Sequence, residues 1–182
     1  EYIKVNYNEN VEHLFVKKAY LEGSEDSYSF NKSGDYYYQN FQVKNCFDKY
    51  EEVNLYFEDM DGEYSILKGN RDSIGSDLTD IIATINSPNG VVTLTKDMGD
   101  EFCLVSSKDQ TKMSIKPSLE KVTFDYELLR DDTLALTKYW DDGTTSLVIP
   151  DAIDGHMVST IRSNTIYNNN TITELTVPDS IY

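Results

Sequence analysis

Two stretches near the end of this chain are nearly the same, and their spacing limits what the chain can fold into. Ser146-Leu147-Val148-Ile149-Pro150-Asp151-Ala152-Ile153 returns as Glu174-Leu175-Thr176-Val177-Pro178-Asp179-Ser180-Ile181. The offset is 28 residues, and five of the eight positions are identical or exchange only Ile for Val. Recurrence at a period of roughly 20–50 residues is the mark of a solenoid, whose units stack because none can bury its apolar face alone. Solenoids offer extended surfaces to partners, so the repeat also sets a functional expectation of recognition.

At 182 residues the chain has room for one large domain or two small ones, and for a core that needs no metal or disulfide staples. No apolar run is long enough for a membrane-spanning helix, and no signal-peptide pattern occurs. The start at Glu1, without Met, is what a trimmed or mature form would show. Against 16 Lys and Arg stand 32 Asp and Glu, a net charge of -16. Such a balance repels phosphate backbones and argues against nucleic acid or anionic membrane as partner. It serves solubility, and its functional reading is a surface that gathers cations such as calcium. The 14 tyrosines, the single tryptophan and the Asn-rich loops are associated with extracellular bacterial β-proteins.

Read along the chain, the pattern is almost all β. Residues 11–21 fit both a strand and a helical face. From Tyr28 to Ile115, short alternating runs separated by turns every 8–15 residues or so predict seven or eight strands, the pattern of a β-sandwich, Ig-like or jelly-roll-like, over residues 1–120. Tyr36 to Val43 and Val53 to Glu58 alternate as half-buried strands. Asp59-Met60-Asp61-Gly62 reads as a hairpin turn returning into Glu63 to Leu67. Asp77 to Ile85 favours a strand through its β-branched content. Pro117 to Lys121 reads as a linker, and a new unit spans residues 121–182. Cys46 and Cys103 both fall in strand-like runs and are either bridged across facing sheets or two buried thiols.

From Phe124 onward the chain resembles the start of a BspA-type leucine-rich repeat array, a family of secreted and surface proteins of bacteria. The resemblance rests on Leu134 to Tyr139, the Asp141-Asp142-Gly143 turn, and the strand Leu147-Val148-Ile149-Pro150. It continues through Ile153-Asp154-Gly155-His156-Met157-Val158-Ser159-Thr160-Ile161, the Asn168-Asn169-Asn170 turn and Leu175-Thr176-Val177-Pro178. Arg162 to Tyr167 departs from the family pattern. The resemblance implies one to two coils of a leucine-rich repeat solenoid, with Val158, Ile161, Ile166, Ile172, Leu175 and Val177 pointing inward.

Little in the chain points to catalysis. The only histidines are His13 and His156, and His156 occupies a variable slot of the repeat, where a surface position is expected. No nucleophile elbow, P-loop, zinc-protease helix or paired Cys-x-x-Cys occurs. Asp59-Met60-Asp61-Gly62-Glu63 lacks the further ligands of a calcium loop, so a turn is favoured there and at Asp141-Asp142-Gly143. Tyr36, Tyr38, Tyr56, Tyr64 and Trp140 are the candidate ligand contacts, because aromatic faces suit sugar rings; packing is the more common fate of strand aromatics. The expectation is therefore a secreted or surface-attached, non-catalytic bacterial binding or adhesion protein. Its partner would be a host or matrix protein or a glycan, and no cofactor is expected, calcium being the one candidate ion. The alternative is a carbohydrate-binding module of a secreted polysaccharide-degrading enzyme. A third reading, an enzyme built on an acid pair, has no pair to point to.

Overall fold

A computed structural model describes residues 30–43, 47, 50–110 and 112–182. The ambiguous 11–21 segment, His13 and Cys46 lie outside them. The described chain is mainly β, in several sheets. A five-stranded antiparallel sheet runs in the order β1 (Asn31–Ser33), β2 (Tyr36–Gln42), β7 (Glu101–Ser106), β4 (Tyr64–Lys68), β5 (Ile81–Ile85). A three-stranded antiparallel sheet runs β6 (Gly90–Thr95), β3 (Glu52–Glu58), β8 (Ser114–Ser118).

Side-chain alternation along these strands explains how the two sheets meet. Phe41, Phe102, Leu104, Tyr64, Ile66 and Ile85 of the first sheet share one buried cluster with Val53, Leu55, Phe57, Val92, Leu94 and Ile115 of the second. Each such side chain removed from water contributes on the order of 1.5–3 kcal/mol. The intervening residues Tyr38, Leu67, Cys103 and Val105 point to the other face of the five-stranded sheet, where Ile74 and Leu78 cover them. That cover is a polar loop held by side chains of β1 and β2. Ser33 Oγ donates to the Ile74 carbonyl at 3.0 Å and accepts its N–H at 2.9 Å. Tyr38 Oη donates to the Asp72 carbonyl at 2.6 Å, and Asn40 makes a reciprocal pair with the Arg71 backbone at 2.7 and 2.8 Å.

Three expectations change. Asp59 to Gly62 is not a hairpin: β3 and β4 belong to different sheets, and the turn carries the chain between them. Asp59 (φ 57°) and Gly62 (φ 78°) supply left-handed backbone on either side of buried Met60, whose side chain plugs the shared core and sets the crossing. Pro117 and Ser118 are not linker but the end of β8, paired with Leu55 and Asn54. Proline is tolerated there because β8 is a sheet edge. In the segment from Asp77, only Ile81–Ile85 is strand.

Beyond β8 a second arrangement begins. β9 (Phe124–Leu128) and β10 (Leu134–Tyr139) are antiparallel, β10 runs parallel to β13 (His156–Ile161), and β12 (Ala152–Ile153) turns back on β13. The β12–β13 turn is Asp154-Gly155, with φ of 51° and 86°, the pair of positive values that a tight two-residue hairpin requires. β11 (Ser146–Val148) pairs in parallel with β14 (Glu174–Thr176). Phe124, Tyr126, Leu134, Leu136, Tyr139, Leu147, Ile149 and Val158 form its core, flanked by half-buried Ile161, Ile166 and Ile172.

The two cores meet at Gly90 and Asp141. The Val91 N–H donates to the Asp141 carbonyl at 2.8 Å and the Asp141 N–H to the Asn89 carbonyl at 3.0 Å. A Cβ at Gly90 would sit on Tyr64 Oη, 2.8 Å from Ile85 Cγ2 and 3.1 Å from the Asp141 carbonyl. Tyr64 Oη is buried without a protein hydrogen-bond partner among the described residues. Gly90→Ala is therefore expected to destabilise the chain by about 2–4 kcal/mol in urea unfolding. In a Tyr64→Phe background the same change should cost about 1 kcal/mol less, a coupling readable from a double-mutant cycle.

Candidate functional site

Four of the five aromatic residues singled out for ligand stacking lie inside the fold. Tyr56, Tyr64, Trp140 and Tyr38 are buried, and only Tyr36 is half-exposed, packed beside Tyr38 and Leu67. Tyr56 and Trp140 meet edge to face, 5.0 Å between centroids at 82°. Tyr56 Oη donates to the Glu120 carbonyl and accepts the Val122 N–H, both at 2.8 Å. Trp140 Nε1 donates to Asp125 Oδ1 at 2.8 Å, while Lys138 lies 5.0 Å over the Trp140 ring and pairs with Glu58 of β3. Buried rings bonded this way have no face left for a sugar; they join the two cores. Cys103 is a buried free thiol, pushed up to about 11 by burial, which makes it a poor nucleophile. His156 sits at the surface, its Nδ1 3.2 Å from the Asp132 carbonyl. Asp61 pairs with Lys108 at 2.9 Å.

The junction holds a buried carboxyl group. Asp141 is fully buried; its Oδ1 accepts the Gly143 N–H and its Oδ2 the Asn169 amide, each at 2.8 Å. Burial pushes its carboxyl above the ordinary range, against the opposing pull of Gly143, Ser87 and Asn169. Burial, then the nearby Asp141, also raises Tyr64 and Tyr139. The Asn169 side-chain Oδ1 accepts the Thr171 and Ile172 N–H groups at 2.9 and 2.8 Å. One Asn thus ties the turn before β14 to the junction.

The β11–β14 pair presents an exposed face. Its register is Ser146 with Glu174, Leu147 with Leu175 and Val148 with Thr176, so residues of the two repeats at the same position lie side by side. The same 28-residue step recurs in Ser146 Oγ to Glu174 Oε2 (3.1 Å), Thr173 Oγ1 to the Thr145 carbonyl (3.2 Å) and Asn169 to Asp141. Leu147 and Ile149 point inward, leaving Ser146, Val148, Glu174 and Thr176 facing out, with Val148 61% exposed. Strict alternation within the repeat would have located these four from sequence. Leu175 and Val177, expected inward, are 48% and 45% exposed, whereas Leu147 and Ile149 are 4% and 2%. Leu147 and Ile149 pack into the second core, and Leu175 and Val177 do not.

No protein-family model matches this chain, no curated protein matches it, and no solved structure matches it.

Two outcomes follow from the geometry. Leu147→Ala should cost about 2–4 kcal/mol, and Leu175→Ala less than half as much, because only the first leaves a cavity. Asp141 has a raised folded-state pKa, so its contribution is fully present below its unfolded pKa and is lost as pH rises through the folded one. Chemical denaturation of Asp141→Asn between about pH 4 and 8 should therefore lack a pH-linked loss that the parent shows.

Proposed function

We propose that this chain is a non-catalytic binding module of a secreted or surface-attached bacterial protein. In this reading a β-sandwich is followed by the first coils of a BspA-type leucine-rich repeat solenoid. The outward face of β11 and β14 carries the contact to a host or matrix protein or a glycan. One observation carries the reading: strands 28 residues apart pair in parallel and in register, as successive coils of a solenoid do. Supporting it, the five- and three-stranded sheets share one core, as sandwich layers do, and the residues after β8 form a separate core. The Tyr- and Asn-rich composition is in keeping with an extracellular setting. The outward face is small and mixed, with apolar Val148, hydroxyls of Ser146 and Thr176, and the Glu174 carboxylate. Such a surface suits a partner that offers apolar contact beside hydrogen-bond donors.

The 182-residue chain, probed against arrays of matrix proteins and glycans, is expected to bind one class, and replacing Val148 and Thr176 together by Ala should weaken that binding at least about tenfold. The thermal midpoint should not move, since both positions are exposed. Unchanged affinity in the double variant would rule the outward face out as the contact.

A further inference from the structure

We infer that a pocket under the loop between β4 and β5 takes the acetamido group of an N-acetylated sugar. The site presupposes the binding-module reading and its glycan partner, but it lies on the five-stranded sheet and not on the β11–β14 pair.

The loop is built to hold one shape. Gly69 (φ 81°) and Asp80 (φ 57°) bend the chain at its two ends, and the Lys68 N–H donates to the Asp80 carbonyl at 2.8 Å across its neck. Inside the loop, the backbone groups of Arg71, Asp72 and Ile74 are bonded by the side chains of Asn40, Tyr38 and Ser33. A ligand therefore meets a preformed surface, and little freedom is lost in ordering it.

The pocket beneath this loop has a volume of about 40 Å³. One water needs about 10–15 Å³ on that measure, so the space suits a group of about three or four heavy atoms and not a whole sugar ring. Its floor is apolar: Leu67 and Ile74 are buried and Leu78 is half-buried. One wall is Arg71, whose guanidinium makes its hydrogen bonds through Nη2, to the Lys68 carbonyl at 3.3 Å, the Thr79 carbonyl at 3.2 Å and Asp80 Oδ2 at 3.0 Å. That fixes the head and leaves Nη1 and Nε as unused donors among the described residues, with Nε buried. A buried donor without a partner is rare enough to need an explanation. The rim is exposed and polar, with Ser73, Asp77 and Thr79.

An acetamido group answers each of these surfaces. Its methyl lies on the apolar floor, its carbonyl accepts from Arg71, and its N–H donates to the Asp77 carboxylate. The sugar hydroxyls outside the pocket then face those of Ser73 and Thr79. A carboxylate or phosphate is the poorer match, because Arg71 already pairs with Asp80 and a second carboxylate, Asp77, stands on the rim. An acetylated lysine offers the same acetamide, but only an alkyl chain to set against the rim hydroxyls.

The test titrates the isotope-labelled 182-residue chain with N-acetylglucosamine and follows the backbone amide signals by NMR. Shifts should concentrate in residues 73–79, with a Kd of about 1–10 mM, as befits one small buried group. Glucose, which lacks the acetamido group, should bind at least about tenfold more weakly. Asp77→Ala should weaken N-acetylglucosamine binding at least about fivefold. Gly75→Trp should abolish it: φ there is not positive and the nearest atom to an added Cβ is 3.9 Å away, so the loop accepts a side chain, which then covers the mouth. Replacing Val148 and Thr176 together by Ala should leave it unchanged, so a failed outward face and a failed pocket give different results. Equal shifts with glucose, full binding by Gly75→Trp or Asp77→Ala, or no shift in residues 73–79 at ~50 mM sugar would overturn the inference. So would tighter binding of Nε-acetyl-lysine, since an acetylated protein would then be the occupant.

Discussion

Asp141 joins the two cores through its backbone and its side chain at once. Its N–H and carbonyl hydrogen-bond to Asn89 and Val91 at the start of β6, while its carboxylate gathers the Gly143 N–H and the Asn169 amide. A fully buried carboxylate is costly unless its oxygens are satisfied, and here the donors come from the turn after β10 and the turn before β14. The geometry leaves no room beside it: Gly90 is packed against Tyr64, Ile85 and the Asp141 carbonyl, so only a residue without a side chain fits. Around this point Tyr56, Val91, Val122 and Trp140 form a small apolar cluster between the larger cores. The C-terminal strands thus rest on the upstream sheets.

Burial separates the two repeats. Leu147 and Ile149 of the first pack into the second core with Phe124, Leu136, Tyr139 and Val158. Among the described residues Leu175 and Val177, at the same positions of the second repeat, are about half exposed. The outward face of the β11–β14 pair is set by the side chains that alternate out of the strands.

Much of the β character was legible from residue order alone. Alternation in Val53 to Glu58 and the turn residues between runs mark strands, and eight of them lie between Asn31 and Ser118. The destination of each turn was not legible. Asp59 to Gly62 has the composition of a hairpin, yet buried Met60 sends the chain to the other sheet. The roles of the aromatic residues needed the fold for a related reason. Tyr56 and Trp140 have faces suited to a ligand, and only three-dimensional proximity shows that they spend those faces on each other. Proline at 117 reads as a break, but an edge strand can absorb it because one of its two sides carries no ladder hydrogen bonds.

The repeat itself was determined by sequence: Leu147 and Leu175 share a place in an eight-residue pattern, and the fold sets them side by side. Local periodicity suffices for that, because identical strands bury identical faces only when stacked in register. Which of the two leucines would be covered could not be read from residues that are the same. Tertiary structure decided it, since burial depends on what lies beside a side chain, and only Leu147 packs into the core with Phe124, Leu136, Tyr139 and Val158.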